Sequence, residues 1–263
     1  MTPHDKNSRF RYPCFAIPTC AQPAPGFTIK NGLVVELFAR SASCDVTPRG
    51  RLVRLAGYAL RKDPVSTVLD PIEISAILLE CGEQRCLIFS FDVLTVGTEL
   101  QEEILSRLLK LGFLPDEIVL FASHTHNAPA TDRACAPLGE PDSKFVNDVA
   151  DSAESLARQI QRQQPSEVRL DVLQGRLSHS VNRRRYWPFP TIGRMHGFQL
   201  TSVAFSPNPS GPKDERATVV LLRKANDGQT LGALWHYTCH PTAVVPSNVI
   251  SSDFPGAVRL ALR

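Results

Sequence analysis

No apolar run in this 263-residue chain reaches the roughly 18 residues that a membrane-spanning helix requires, so no transmembrane segment is expected. The opening stretch MTPHDKNSRFRYPCF lacks the continuous apolar core of a secretory signal, and the expected location is cytoplasmic. Charge of one sign is also scarce. The formal net charge is +3, and the densest basic cluster, NRRRYW at 182–187, is local. It predicts an anion or substrate contact on a basic loop, and no nucleic-acid partner. The seven cysteines (Cys14, Cys20, Cys44, Cys81, Cys86, Cys135 and Cys239) are odd in number and form no Cys-x-x-Cys pair. That argues against a disulfide framework and a cysteine-rich zinc ribbon, and for free, mostly buried thiols in a reducing compartment. There is no Gly-x-Ser-x-Gly nucleophile elbow and no glycine-rich phosphate loop.

What is present reads as an α/β domain. Residues 1–28 are rich in proline and polar groups and predict an irregular extension ahead of a domain at 29–263. LVVELFA (33–39) is a plausible first strand, and 45–64 is loop-like. EISAILLE (73–80) and RCLIFSF (85–91), separated by CGEQ, predict a hairpin or two adjacent buried strands. Residues 98–112 predict a helix: Thr98 with Gln101 fits a capping box, Leu100, Ile104, Leu105, Leu108 and Leu109 make one apolar stripe, and Gly112 supplies the stop. A strand at 117–122 and an amphipathic helix at 142–162 follow, the helix with Phe145, Val149, Leu156 and Ile160 inward. Further strands are expected at 167–173, 199–206, 217–223 and 231–238. The order predicts a mixed β-sheet core flanked by helices. SSDFPGAVRLALR has the spacing of a helix just starting, so the fold is expected to be incomplete at the C-terminus.

Two histidine clusters carry the chemistry. ASHTHNAPA (122–130) follows an apolar run, and if 117–124 is extended, His124 and His126 share a face with Cα atoms roughly 7 Å apart. A strand C-terminus in an α/β sheet is where such sites are built. HYTCHPT (236–242) ends a second apolar run. Read as extended, it places His236 and His240 on one face; His240, at the strand exit beside Pro241, is the better ligand candidate and His236 a packing residue. Cys239 would point away from His240. If both strands lie in one sheet, His124 and His240 can meet at its edge. Zinc takes three or four ligands, and no third histidine outside these clusters or His-Glu-x-x-His helix accompanies them. Asp92 and Asp253 are the carboxylates best placed nearby, as hydrogen-bond partners of an imidazole or as turn residues. Asn182 and Arg183 add a positive group suited to an oxyanion or carboxylate.

Together, CDVTPRGRLVRLAGYA, ASHTHNAPA, SVNRRR and HYTCHPTAVVPSNVISSDFPG resemble, in order, the N-terminal region of the neutral/alkaline non-lysosomal ceramidase family, over roughly residues 29–263. The resemblance implies a zinc-dependent amidohydrolase of sphingolipid metabolism that cleaves the N-acyl bond of ceramide, with a small-molecule or lipid amide as its partner. It implies His124 and His240 as Zn2+ ligands, His126 acting beside the metal on substrate or intermediate, and Arg183 contributing to activity. Asn127 and Ala128 stand where the family has a Ser-Gly turn. The family completes its zinc site with a glutamate and a tyrosine, and its reaction with a serine, from positions that lie beyond residue 263. The alternatives are a catalytically inactive homologue acting as a binding or scaffold protein, and a metal hydrolase of other small amides or esters.

Overall fold

The computed structural model describes residues 36–263 apart from 188–190, 194–196, 200–201 and 245–247. The extension expected at 1–28 lies outside the described residues. Strands β1 (Phe38–Asp45), β2 (Glu73–Cys81), β3 (Gln84–Phe91), β4 (Ile118–Ala122), β5 (Ser166–Arg176), β10 (Arg216–Lys224) and β11 (Thr230–Tyr237) make one sheet in the order β11-β10-β5-β1-β2-β3-β4. Its pairings are antiparallel except β3 with β4, which is parallel. With helices α1 (Thr98–Lys110), α2 (Ser143–Arg162) and α3 (Asp253–Leu262), this is the expected mixed α/β architecture. Two small ribbons stand apart, β6 (Asn182–Trp187) with β9 (Ser202–Asn208) and β7 (Thr191–Gly193) with β8 (Gly197–Gln199). The basic stretch at 182–187 is therefore a strand, where a loop was expected. Cross-strand pairing of Arg184 with Phe205 and Tyr186 with Val203 holds it extended.

Strand alternation divides the sheet into two faces. Ile74, Ala76 and Leu78 of β2 enter the main core with Leu87, Phe89 and Phe91 of β3. Leu100, Ile104 and Leu108 of α1 and Phe145, Val149, Leu156 and Ile160 of α2 close that face. Each of the leucine, isoleucine, valine and phenylalanine side chains contributes about 1.5–3 kcal/mol on burial. Ile77, one step out of phase, joins Ala39, Val168 and Leu222 on the other side.

The helix ends follow local chemistry, with one departure. Asp142 caps α2, its carboxylate accepting from Phe145 N–H at 3.0 Å. Helix α1 stops in a left-handed turn at Gly112 (φ +83°), where Gly112 N–H reaches Leu109 O at 3.0 Å and Phe113 N–H reaches Leu108 O at 3.3 Å. At its start the N-cap is Gly97, with no side-chain cap, and Thr98 is already helical. The Thr98–Gln101 capping box is not formed, because the chain enters one residue earlier than the pattern suggests. The first strand likewise begins at Phe38 and runs through Asp45, later than the expected 33–39.

One topological feature positions the site. Strands β1 and β5 pair over two residues only, Phe38 with Glu167 and Ala39 with Ser166, so the sheet is two halves joined at a short seam. Beyond the seam β11 folds back over β1 and β2. Ser41 Oγ donates to Leu231 O at 2.8 Å, and a Cβ on Gly232 would lie 3.3 Å from Ile77 Cδ1. Strands β4 and β11 are opposite edges of the sheet, and the fold-back brings their C-terminal loops together.

Candidate metal centre

The β3–β4 ladder continues past Ala122, with Ser123 N–H donating to Phe91 O (2.8 Å) and His124 N–H to Val93 O (3.0 Å). His124 then adopts a left-handed conformation, φ +64°. This corrects the expectation of an extended His-Thr-His. The two imidazoles face one site because the chain turns at His124, rather than through strand periodicity. A left-handed L-residue costs about 1–2 kcal/mol, and such strain persists where the surroundings over-determine it. Here His124 Nδ1–H donates to Leu94 O at 2.7 Å, and Thr125, fully buried, donates its hydroxyl to Ser251 O at 2.8 Å.

His126 is 8% exposed and lies directly on Gly57. Its Nδ1 is 3.1 Å from Gly57 O, and since a carbonyl only accepts, that nitrogen carries the proton and Nε2 keeps its lone pair. Gly57 has φ +105°, and a Cβ there would sit 2.4 Å from His126 Nδ1. The Tyr58 ring lies 5.0 Å from the imidazole, and Arg61 stacks on Tyr58 and donates to the carbonyls of Ala56 and His126. Sequence reasoning left this floor unassigned. Its signal was the glycine inside LAGYA, which marks close backbone approach.

His240 arrives from the other edge. Strand β11 ends at Tyr237, whose hydroxyl donates to Leu177 O (3.0 Å) and accepts from Ser180 N–H (2.9 Å). His236 is exposed on that strand and takes no part in the cluster. The shared face expected for His236 and His240 is lost because the strand stops between them. The ring centroids of His124, His126 and His240 are 5.2, 5.0 and 4.6 Å apart pairwise, and one nitrogen from each lies within 4.8 Å of the others. The third imidazole of the cluster is thus His126, from the same His-Thr-His motif as His124. Cys239 is half-buried, and burial pushes its thiol pKa up, which makes it a poor nucleophile.

The closest contact is His126 Nε2 to His240 Nε2 at 3.2 Å. Since His126 Nε2 is unprotonated, a metal-free site must place a proton on His240 Nε2. With a cation present, both lone pairs can turn to it. Tetrahedral zinc with bonds of about 2.0–2.1 Å separates its ligand nitrogens by about 3.3 Å, so the spacing fits the ion. The electrostatics agree. His126 is held down to about 4 by burial, then by the charges His240 and His124 would carry. His240 is also held down to about 4, by burial, then Arg183, then His124. Both are therefore neutral at pH 7, the form that ligates a metal. Arg183 places its guanidinium 3.5 Å from His240 Nδ1 and 5.3 Å from the Phe205 ring centroid, at the exposed rim.

The two carboxylates do not reach the imidazoles. Asp92, 2% exposed, accepts from Glu73 N–H at 3.0 Å and pairs with Arg259 at 2.7 Å. Asp253 accepts from the backbone N–H groups of Ala243, Val244 and Phe254.

No protein-family model and no curated protein matches this chain. Solved structures do match. A neutral ceramidase from Pseudomonas aeruginosa aligns with a TM-score of 0.63 at 18% identity, over 83% of this chain and 34% of that one. Over that span this chain shares the fold of part of the neutral ceramidase. A ceramidase complexed with C2 aligns equally, with a TM-score of 0.62 at 19% identity over the same 83% and 34%. The chain spans about a third of the length of these two structures. Within this fold, the histidine cluster sits where the loops leaving β4 and β11 converge, and no helix among the described residues is long and apolar enough to cross a membrane.

Proposed function

We propose that this chain carries the metal-binding part of a zinc-dependent, ceramidase-like amidohydrolase acting on the N-acyl bond of ceramide or a related amide. The observation that carries the proposal is the convergence of three imidazoles, two of them with Nε2 atoms 3.2 Å apart. His124 and His240 hold the ion. Bound zinc polarises a carbonyl and lowers the pKa of a water towards about 7. His126 is fixed by Gly57 O with its Nε2 lone pair facing the same point, so it enters as a proton acceptor rather than as a donor to an oxyanion. Arg183, at the exposed rim 3.5 Å from His240 Nδ1, holds the polar end of the substrate. The same 3.2 Å contact favours a second reading, a three-histidine set with His126 as the third ligand, since catalytic zinc sites commonly use three protein ligands.

Elemental analysis of the full chain and its His124→Ala, His240→Ala and His126→Ala variants tests both. The proposal expects about one zinc per chain, lost in the first two variants. In His126→Ala the metal stays and hydrolysis of a short-chain N-acyl amide falls by about 100-fold or more. Loss of the metal in all three variants selects the three-histidine set. A wild-type chain that takes up no zinc refutes both readings and leaves a binding or scaffold role.

A further inference from the structure

Both histidine loops are fastened to one short segment, residues 249–253. On one side Ser251 N–H donates to Asn127 O (2.9 Å), Thr125 Oγ1 to Ser251 O (2.8 Å) and Asn127 Nδ2 to Val249 O (2.9 Å). These bonds hold the turn between His124 and His126. On the other side Asp253 sends its two carboxylate oxygens to the loop that follows His240: Oδ1 accepts from Ala243 N–H at 3.2 Å and Oδ2 from Val244 N–H at 2.9 Å. The segment itself is anchored from a third direction. Asp70 accepts from Ser252 N–H (2.6 Å), Ser252 Oγ (2.5 Å) and Ser251 Oγ (2.6 Å), and Leu69 N–H donates to Ile250 O at 2.9 Å.

Asp253 is the strained member of this arrangement. It is 2% exposed and has φ +56°; with His124 it is one of only two non-glycine residues of positive φ among the described residues. A buried carboxylate in an unfavourable backbone conformation persists only where its bonds compensate. Charge-assisted bonds to three backbone N–H groups, those of Ala243, Val244 and Phe254, supply that compensation. The result is a latch. Its fixed end is the Asp70 anchor, and its free end is the loop that presents His240.

We propose that Asp253 is a positioning residue for the metal centre: its carboxylate clamps the 243–244 backbone and thereby sets the place of His240 relative to His124 and His126. This rests on the reading of the cluster as a metal site. Groups that orient a ligand without touching the metal change its affinity by about 10–100-fold when removed.

The test uses the full chain with Co2+ as a spectroscopic probe, comparing wild type with Asp253→Asn and Val244→Pro. Asparagine keeps the shape and tolerates the left-handed backbone but offers one acceptor oxygen in place of two. Val244→Pro removes a donor from the opposite partner and leaves Asp253 in place. Both variants are expected to bind Co2+ about 10–100-fold more weakly, with visible spectra that move towards that of His240→Ala and not that of His124→Ala. Thiol labelling of the Cys239 peptide in metal-free protein provides a readout independent of the metal, and it should be several-fold faster in both variants. Wild-type Co2+ affinity and spectrum in folded Asp253→Asn, with unchanged Cys239 labelling, overturn the proposal. A wild-type chain that binds no Co2+ defeats the metal reading instead. Labelling then decides the latch by itself: faster in the variants it stands, unchanged it falls.

Discussion

Replacing Gly57 with alanine tests whether the backbone, and not the histidines alone, builds the centre. The new methyl would lie 2.4 Å from Nδ1, 2.6 Å from Cγ and 2.8 Å from Cβ of His126, all closer than real Cβ atoms approach. The ring cannot withdraw while keeping its bond to Gly57 O, so it must leave its place beside His240. Two costs add. The positive φ of +105° contributes about 1–2 kcal/mol once a Cβ is present, and forcing a methyl into filled space contributes about 1–3 kcal/mol. Gly50→Ala is the control. Its φ is +72° and nothing lies within 4 Å of its virtual Cβ, so it carries the backbone cost alone. Guanidinium denaturation should therefore place Gly57→Ala about 2–5 kcal/mol below wild type and Gly50→Ala about 1–2 kcal/mol below. Zinc affinity, by competition with a chelator, should fall at least 10-fold in Gly57→Ala and stay at the wild-type value in Gly50→Ala. Equal stability losses in the two variants, with zinc affinity unchanged in both, would refute the reasoning.

Two other outcomes follow from the same structure. His126 and His240 are both held down to about 4, while in the unfolded chain they titrate near 6.5, so below 6.5 the unfolded state binds more protons. The stability they contribute is complete above about pH 6.5 and is lost as the pH falls towards 4. Metal-free protein should show that decline in urea titrations across pH 7.5 to 4.5; a flat profile would contradict the buried, neutral cluster. At the helix starts, Asp142→Ala should cost about 1 kcal/mol through the lost cap, and more through its 2.7 Å pair with Arg51. Thr98→Ala, which removes no cap, should stay within about 0.5 kcal/mol of wild type in the same measurement. A Thr98 variant as damaged as the Asp142 variant would restore the capping box.

The sequence by itself determined the pieces. Apolar runs gave the hairpin at 73–91 and the later strands, 3.6-residue spacing gave helices α1 and α2, and Gly112 gave the α1 stop, because each depends on neighbours within a few residues. The same locality made His-Thr-His and His-Pro-Thr legible as strand-exit motifs. It also misled at Thr98, where either of two adjacent residues could start the helix, and at 182–187, whose strand exists only because residues 202–208 pair with it. Only the tertiary structure decided that the motifs form one centre. His126 and His240 are 114 residues apart and leave opposite edges of the sheet; they meet because a two-residue seam lets β11 fold back over β1 and β2. The left-handed turn at His124, the bare backbone of Gly57 and the Asp253 clamp then set the ring positions. Those are contacts between distant segments, and no local pattern of residues encodes them.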